Sequence, residues 1–349
     1  MDRLNKTVLF LLAPFGVVYR FIIWARNRFY DVGIFPSKRL PCKVISIGNV
    51  TLGGTGKTPA VITLAKYFQK QDASVAVLSR GYGRKTKKTV LVTDGNKTPL
   101  GWRDVGDEAF LIAHSLNAIP VVVDNNRFRG GRFLIKNYNP DVIILDDAFQ
   151  HRYIKRDIDI VLLNSIETPR NHRLIPFGSL REPMGQLKRA DIIILSKANL
   201  GDFPKDIYIE QFSEASLHKA EIKAGDFLKD KDNNKIPVHN FHNKKGVLVT
   251  SVGCPDGVSK TADKMNLSIA THLRFRDHHI YNQNDCKKIH SALKEKKGDY
   301  ILTTEKDIFK LCSVFEKNNI LKQPSKIYSM PVRFVFQEKT LNEIWTQLL

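Results

Sequence analysis

A short apolar run followed by a glycine-rich loop places the tightest limit on how this chain folds. The run at 44–47 predicts a buried strand, and the loop after it ends in Gly56-Lys57-Thr58. Glycines let successive backbone N–H groups turn inward around phosphate oxygens, and the N-terminus of the next helix adds partial positive charge. The expected nucleotide-phosphate site comprises Thr51, Leu52, Gly53, Gly54, Thr55, Gly56, Lys57 and Thr58.

The last residues of this loop have separate expected roles. Lys57 is expected to reach the β- and γ-phosphates of a nucleoside triphosphate, and the Thr58 hydroxyl is expected to contact Mg²⁺. The usual pattern begins with glycine where this chain has Thr51. An ordinary glycine-rich turn is the alternative, but the order strand, loop, helix favours a phosphate site.

Short runs of β-branched residues recur along the chain, with helical segments between several of them. Continuous apolar runs of this length are typical of strands buried on both faces of a parallel sheet. The predicted strands include 75–78, 120–123, 142–145, 158–163 and 192–195, and the predicted helices include 59–71 and 107–116. We therefore predict a doubly wound α/β fold of the P-loop NTPase type, with ligands at the carboxyl ends of a mostly parallel sheet.

The chain is long enough, at 349 residues, for two domains with separate cores. A polar, lysine-rich stretch follows residue 203, and a second α/β pattern then begins with strands at 246–251 and 300–303 and a helix at 283–294 between them. We predict a membrane-associated helix over 1–30, a P-loop domain over 31–205, a linker over 206–243 and a smaller α/β domain over 244–349.

The N-terminal segment is strongly apolar but carries arginines among its aromatic residues. Arg20 interrupts the apolar run before it reaches the roughly 20 residues that a membrane-spanning helix needs. Aromatic residues mixed with Arg20, Arg26 and Arg28 suit the boundary between lipid headgroups and acyl chains. We predict an interfacial anchor that does not cross the bilayer; a helix packed on its own domain is the alternative.

The overall charge of the chain points to an anionic partner. The formal net charge is +20 at pH 7, and nucleic acid, anionic lipid and acidic small substrates are all candidates. The four cysteines have no metal-ligand spacing and suggest no disulfide framework, which favours a reducing, cytosolic setting.

Two adjacent aspartates, Asp146 and Asp147, follow the predicted strand at 142–145. Phosphate-loop enzymes place the carboxylate that supports Mg²⁺ at the end of a buried strand. One aspartate is expected to bind metal directly or through water, and the other to orient water or substrate. A simple turn is the alternative.

Three further polar clusters have ordinary explanations when spacing alone is considered. Asp107 begins a predicted helix, where an aspartate often caps the helix N-terminus. The segment Arg80-Gly81-Tyr82-Gly83-Arg84 suits a loop that contacts an anionic substrate. The segment Asp277-His278-His279 lacks the third ligand that zinc requires, although an Asp–His pair can tune proton transfer.

Longer blocks around these motifs resemble the tetraacyldisaccharide 4′-kinase family, the lipid A 4′-kinases of Gram-negative bacteria. The block at 48–59 matches the family signature, and a threonine at position 51 is part of that signature. The other blocks follow in the family's order: Ser79-Arg80-Gly81-Tyr82-Gly83, Val105-Gly106-Asp107-Glu108, Asp146-Asp147-Ala148-Phe149-Gln150-His151-Arg152, Pro176-Phe177-Gly178-Ser179-Leu180-Arg181-Glu182-Pro183, Asp277-His278-His279 and Thr304-Glu305-Lys306-Asp307. The resemblance runs from the apolar N-terminal helix almost to the C-terminus.

The resemblance implies ATP- and Mg²⁺-dependent transfer of the γ-phosphoryl group to the 4′-hydroxyl of an acylated glucosamine disaccharide 1-phosphate, giving lipid IVA. It also implies work at the cytoplasmic face of the bacterial inner membrane, with no obligate protein partner and no nucleic acid. By the same resemblance, Asp107 is the expected base and His278 its partner, brought together when the second domain closes over the first. The expected metal ligands are Thr58, Asp146, Asp147 and Glu182, and the expected substrate contacts are Arg80, Tyr82, Gln150 and His151.

Three other classes of protein are alternatives to such a kinase. A metallochaperone-type GTPase is suggested by Ser196-Lys197-Ala198-Asn199, an incomplete form of the guanine-reading motif. A nucleic-acid-dependent ATPase would account for the charge, but the chain has no recognisable nucleic-acid module. A non-enzymatic membrane adaptor would not need Lys57, Thr58 and Asp146 together.

Overall fold

The computed structural model describes residues 6–97, 100–167, 173–203, 209–318 and 326–348. Helices and strands alternate through most of this length. The helices are α1 (Lys6–Asp31), α2 (Lys57–Lys70), α3 (Trp102–Val105), α4 (Asp107–Ser115), α5 (Arg127–Tyr138), α6 (Pro255–Lys264), α7 (Gln283–Glu295), α8 (Ile308–Asn318) and α9 (Glu338–Leu348).

The strands form one sheet of nine and one sheet of six within the described residues. Those of the larger sheet are β1 (Lys43–Gly48), β2 (Val75–Ser79), β3 (Val90–Thr93), β4 (Val121–Val123), β5 (Val142–Asp146), β6 (Ile158–Asn164), β7 (Ile192–Ser196), β8 (Ser216–Ala224) and β15 (Val332–Phe336). Those of the smaller sheet are β9 (Phe227–Lys229), β10 (Lys235–Pro237), β11 (Lys245–Thr250), β12 (Ser268–Arg274), β13 (Tyr300–Thr304) and β14 (Ile327–Met330).

The larger sheet has the order β15-β8-β7-β6-β1-β5-β2-β4-β3. Its neighbouring strands run parallel except at the two edges, where β3 and β15 are antiparallel to their partners. The central strands β2, β5, β6 and β7 are buried along their whole length, and β1 is buried from Val44 onward. The predicted doubly wound, mostly parallel P-loop sheet is confirmed. The central strands carry apolar residues on both sides because helices cover both faces of the sheet.

Helices α2, α4 and α9 pack on one face of the larger sheet, and α5 packs on the other. The smaller sheet has the order β10-β9-β14-β13-β11-β12, with α7 and α8 on one face and α6 on the other. The two sheets therefore have separate cores. The turns after β11 and β12 in the smaller sheet contact the loops at the carboxyl ends of the central strands in the larger sheet, which include β1, β2 and β5.

The interval predicted to be a linker, 206–243, instead contains three strands. Strand β8 pairs with β7 in the larger sheet, and β9 pairs with β10 and β14 in the smaller one. The alternation of buried and exposed residues along β8 is not evident from the sequence, because His218 is buried and Leu217 is exposed. Residues 204–208, which include the start of the predicted linker, lie outside the described part of the chain.

The C-terminal segment also departs from the predicted division into domains. Strand β15 pairs with β8, and α9 packs on α2, so residues 332–348 return to the larger sheet. The range 244–349 therefore does not form one separate unit, because its last strand and helix complete the first core.

Helix α1 has two contrasting sides over the residues whose side chains are described, 13–31. One side faces the protein through Ile23 and Asn27, and the Tyr19 hydroxyl donates to the Arg181 carbonyl at 2.8 Å. The other side exposes large apolar residues: Phe15, Val17, Val18, Phe21, Ile22, Trp24 and Phe29. No described helix is both long and apolar enough to cross a membrane. Residues 1–5 of the predicted N-terminal helix lie outside the described range.

Candidate active site

The glycine-rich loop joins β1 to α2 at the centre of the larger sheet. Gly56 precedes the helix with φ +90°, a conformation that L side chains rarely adopt, which explains the glycine at this position. Thr51 forms an isolated antiparallel bridge with Leu180, an extended conformation that places no demand for glycine. The tip residue Leu52 is half exposed, while Thr55 and Thr58 are buried. The strand, loop and helix therefore have the form that the sequence predicts.

The turn after β11 rests directly on this loop. A Cβ placed on Gly253 would lie 2.5 Å from the Cα of Gly53 and 2.5 Å from the nitrogen of Gly54. Both are backbone atoms, so only glycine at position 253 permits this approach. The contact brings the smaller sheet against the phosphate loop.

The Asp146 carboxyl group lies at the end of β5 and is only 1% exposed. Its Oδ2 accepts a hydrogen bond from the Ser79 hydroxyl at 2.9 Å, whereas the buried Oδ1 has no partner among the described residues. Burial, together with Glu108 and Asp147, raises the pKa of Asp146 to about 7. A buried carboxylate with one free oxygen and no neutralising contact suits a cation, so the residues fit the expected Mg²⁺.

Asp147 has the opposite surroundings. The Arg181 guanidinium donates to both of its oxygens at 3.0 Å, and the Lys57 ammonium lies 3.5 Å from Oδ1. Burial alone would raise the pKa of Asp147, but Lys57 and Arg181 outweigh it and hold that pKa at about 2. Asp147 therefore contacts two cations beside the glycine-rich loop, and Asp146 is better placed than Asp147 to bind a metal ion.

Glu182 does not belong to a metal site in this structure, which corrects the expectation from the resemblance. Its carboxylate is fully buried between the guanidinium groups of Arg26 and Arg189. Each oxygen accepts a charged hydrogen bond, so neither is left for a metal. Glu182 instead ties α1 to the segment that carries Arg181.

Asp107 and His278 meet across the two sheets, as the resemblance implies. The His278 Nδ1–H donates to Asp107, with Nδ1 at 3.0 Å from Oδ1 and 3.2 Å from Oδ2. Gly106 holds the N-cap position, so Asp107 is the first residue of α4. Its Oδ1 accepts from the Glu108 N–H at 2.9 Å, so the carboxylate satisfies a first-turn N–H of the helix and also meets His278. His279, in the turn after β12, instead contacts Asp285 in the first turn of α7, at 2.8 Å.

Cations surround this pair. The Lys310 ammonium lies 3.3 Å from Asp107 Oδ2, and the Lys306 ammonium lies 3.8 Å from it and 3.3 Å from His278 Nε2. Burial would raise the pKa of Asp107, but the His278 hydrogen bond and the two lysines hold it well below its ordinary value. Burial would lower the pKa of His278, but the Asp107 contact outweighs it and raises that pKa above 6.5.

The expected substrate residues lie in two places. The Tyr82 ring is exposed and packs on the His278 ring with centroids 4.7 Å apart, and Arg80 is exposed on the same loop. The Gln150 amide donates to the Asn49 carbonyl at 2.8 Å, which is a structural contact below the phosphate loop. The His151 imidazole lies in a cationic environment; burial first, then Arg127, lowers its pKa to about 4.

The incomplete guanine-reading motif has a structural role here. The Asn199 side chain donates to the Ile222 carbonyl at 2.8 Å and accepts from the Ile222 N–H at 3.1 Å. Lys197 is buried and donates to the Gly54 carbonyl. Since the Asn199 amide already holds β8 in place, this geometry does not support the GTPase alternative.

Sequence reasoning assigned no role to Arg181, Arg127, Lys306, Lys310 or Gly253. Arg181 and Lys306 lie inside the family blocks, which could have marked them as site residues, but the residues that they contact are distant in the chain. Arg127 is buried at the start of α5, and its pKa is lowered to about 10, by burial first. Only the folded chain brings these residues to the site.

A phosphate loop, a buried strand-end carboxylate and an Asp–His pair at the same cleft define an enzyme of the P-loop kinase class. A family sequence model described as "Tetraacyldisaccharide-1-P 4'-kinase" matches residues 8–349. The chain therefore belongs to this family, and the resemblance indicated by its motifs is confirmed.

Named relatives and a solved structure agree with this membership. A tetraacyldisaccharide 4'-kinase of Chlorobaculum parvum is 36% identical over 91% of this chain and 89% of its own length. Its counterpart from Syntrophus aciditrophicus is 38% identical over 86% of this chain and 84% of its own length. A crystal structure of LpxK from Aquifex aeolicus in complex with ATP is 29% identical, covers 97% of this chain and 98% of its own, and has a TM-score of 0.76.

Proposed function

We propose that this protein transfers the γ-phosphoryl group of ATP to the 4′-hydroxyl of a tetraacylated glucosamine disaccharide 1-phosphate, giving lipid IVA. Family membership supports the reaction, and the similar LpxK structure is described in complex with ATP. The observation that carries the proposal is the Asp107–His278 contact, which joins groups from both sheets beside the phosphate loop. A nucleotide-binding protein that transfers nothing would have no use for that pair.

The phosphate loop and its cations position the nucleotide. The loop N–H groups and the Lys57 ammonium would hold the β- and γ-phosphates, with Asp147 and Arg181 fixing the direction of Lys57. Phosphoryl transfer depends on positioning and charge neutralisation rather than on covalent catalysis by the protein.

Asp146 and Thr58 would hold Mg²⁺, and Asp147 lies beside them. Bound there, the ion would neutralise charge on the phosphate oxygens. No group of three His, Cys, Asp or Glu side chains within the described ranges is arranged to hold a metal. The remaining ligands would therefore be phosphate oxygens and water, as is usual for Mg²⁺ in such enzymes.

The Asp107–His278 pair would accept the proton of the 4′-hydroxyl. A sugar hydroxyl is a weak nucleophile until a base is within reach. Because the pKa of Asp107 is held low and that of His278 is raised, the proton would come to rest on the pair as an imidazolium. Tyr82 covers one face of that imidazole and would limit the entry of water.

The exposed apolar side of α1 would bring the enzyme to its lipid substrate. Contiguous exposed apolar surface marks interaction sites, and this side is flanked by the exposed Arg20 and Arg28. The net charge of +20 favours an anionic lipid surface and a substrate that carries a 1-phosphate. We place the enzyme at the cytoplasmic face of the bacterial inner membrane.

Labelled ATP supplied with a choice of acceptors tests the proposed function. The purified protein is incubated with γ-labelled ATP, Mg²⁺ and either the lipid A disaccharide precursor or nucleic acid. Label should appear in the lipid at the 4′-position, and Lys57→Ala should abolish it. Turnover that depends on nucleic acid, or label that never reaches the lipid, would overturn the proposal.

A further inference from the structure

Lys310 on α8 is a fully buried ammonium group that the reaction described above does not use. Its side chain is only 1% exposed. Burying an ammonium group is expensive unless charged and polar partners compensate it. Its polar partners among the described side chains are Asp307 Oδ1 at 2.7 Å, the Ser251 hydroxyl at 2.9 Å and Asp107 Oδ2 at 3.3 Å, and the Tyr281 ring centroid lies 5.8 Å away.

Two of these partners anchor the lysine to its own sheet. Asp307 Oδ2 accepts from the Ser251 N–H at 2.8 Å and from the Thr304 hydroxyl at 3.0 Å. Ser251 directly follows β11, and Thr304 ends β13. The ammonium therefore has a fixed place at the carboxyl ends of two strands of the smaller sheet.

The third partner belongs to the other sheet. Asp107 begins α4, which packs on the larger sheet, so the Lys310 ammonium crosses the boundary between the two cores. It approaches Asp107 Oδ2, at 3.3 Å, and is the nearest ammonium group to that oxygen. His278 Nδ1 is nearest to Oδ1, at 3.0 Å, but lies only 3.2 Å from Oδ2. Oδ1 also accepts from the Glu108 N–H at 2.9 Å, whereas Oδ2 has no backbone donor among the described residues and depends on groups of the smaller sheet.

We propose that Lys310 is a positioning residue for phosphoryl transfer: it holds Asp107 Oδ2 so that Oδ1 receives the Nδ1–H of His278 and Nε2 is left as the proton acceptor. The inference rests on the proposed function, since it concerns the proton of the acceptor hydroxyl. A lysine needed only for the core of the smaller sheet would be satisfied by Asp307 and Ser251 and would gain nothing from reaching Asp107.

Removal of the ammonium has a defined electrostatic consequence. The charged groups that face the pair are Asp107 and Glu108 from α4, Asp277 and Lys306 from turns of the smaller sheet, and Lys310 from α8. Without one of the two cations, the protonated form of the pair is favoured. The acidic limb of the kcat profile should move up by about one to two pH units.

The test compares Lys310→Met with Lys310→Arg and with Asp107→Asn in a double-mutant cycle. Lys310→Met should lower kcat at neutral pH, recover part of it at higher pH, and leave the affinity for ATP unchanged. Lys310→Arg should keep the acidic limb of the wild type, because it keeps the charge. In the Asp107→Asn background, loss of Lys310 should cost no further kcat.

Loss of stability is controlled by a second pair of variants. Lys310→Met leaves Asp307 buried without its cation, so Lys310→Met with Asp307→Asn removes both charges together, and Asp307→Asn alone is the reference. The double variant should show the same displaced pH profile as Lys310→Met.

The proposal fails if Lys310→Met keeps the wild-type pH profile or if Lys310→Arg shifts that profile equally. It also fails if loss of Lys310 costs as much kcat in the Asp107→Asn background as it does when the native aspartate is present. Failure of the proposed function is a different result: the wild type itself would not label the lipid acceptor.

Discussion

Asp146 and Asp147 are neighbours in the chain but lie in opposite electrostatic surroundings. Asp147 is neutralised by Lys57 and Arg181, whereas Asp146 keeps a buried oxygen without a partner among the described residues. The left-handed backbone at Asp147, with φ +48°, separates the directions of the two side chains. Of these two adjacent carboxylates, only that of Asp146 therefore has an oxygen available to a cation.

Asp146→Asn should separate stability from activity. The pKa of Asp146 is raised to about 7 from 3.8, so its contribution to stability is fully present below pH 3.8 and is lost as the pH rises through 7. In EDTA, the thermal midpoint of the wild type should therefore fall relative to that of Asp146→Asn between pH 4 and pH 8. Mg²⁺ with nucleotide should raise the midpoint of the wild type more than that of the variant, and turnover of the variant should drop by at least about 100-fold. Equal pH dependence of the two midpoints would contradict the buried, unpaired carboxylate.

Replacement of His278 by glutamine should change both rate and pH dependence. A positioned general base contributes about 10²–10⁴-fold, so kcat should fall within that range while ATP affinity stays near wild type. The pKa of His278 is raised above 6.5, so the wild-type rate should increase with pH through a limb above 6.5. The stability from the His278 contact should be complete below pH 6.5 and lost above the folded pKa. His279→Gln is the matched control, and an equal loss of kcat in it would contradict the assignment.

At this scale the sequence predicts a role for Lys57 from its loop, and a role for Asp107 only through the family resemblance. It fails at Glu182, because a carboxylate can bind metal or arginine, and only the folded chain brings Arg26 and Arg189 to it. Lys310 could not be predicted either, since its three partners are spread over Ser251, Asp307 and Asp107.

Among the elements, α1 has the most unusual surface. Its inward side is bound by specific polar contacts, and its outward side exposes Phe15 at 68%, Phe21 at 63% and Trp24 at 61%. The sequence left two alternatives, a helix packed on its own domain and an interfacial anchor. The structure shows the packed side of the helix, and it also shows the exposed apolar surface that an anchor would need. The predicted buried strands are confirmed since apolar runs determine them locally, whereas β8 to β10 depend on pairing with distant strands.

Phe21→Ser with Trp24→Ser should weaken binding to anionic vesicles without unfolding the protein. Both side chains are exposed, so their removal opens no cavity, but it removes apolar surface that would enter the lipid. Co-sedimentation with vesicles should fall, KM for the lipid acceptor should rise, and ATP affinity should stay unchanged. Leu217→Ser, an exposed apolar position on β8, is the matched control. Unchanged co-sedimentation of the double variant would overturn the membrane role of α1.

For the whole molecule, the decisive feature is that the chain passes between the two sheets more than once. It leaves the larger sheet after β8, builds the smaller one, and returns with β15 and α9. The sequence could not show this return, because β15 and α9 have the same local pattern as elements of a separate domain. The contact of Gly253 with Gly53 then lies between two sheets that the described chain joins twice, after β8 and after β14.

Gly253→Ala should force the turn after β11 away from the phosphate loop. Its Cβ would meet backbone atoms of the phosphate loop at 2.5 Å, and backbone cannot yield as a flexible side chain can. Turnover should drop strongly while the thermal midpoint changes little, because the contact between the two loops must open but no buried side chain is lost. Gly185→Ala, where a Cβ meets nothing within 4 Å, is the control. Wild-type turnover of Gly253→Ala would show that the two loops need not touch during the reaction.

One methyl group at position 253 would therefore give an enzyme with every reactive side chain intact and a much slower route to product. Such a variant could be mixed with ATP, Mg²⁺ and lipid acceptor together and kept unreacted for crystallisation. Inactive variants made by removing Asp107 or Lys57 take away charges that such an experiment aims to observe, whereas Gly253→Ala removes no charged group.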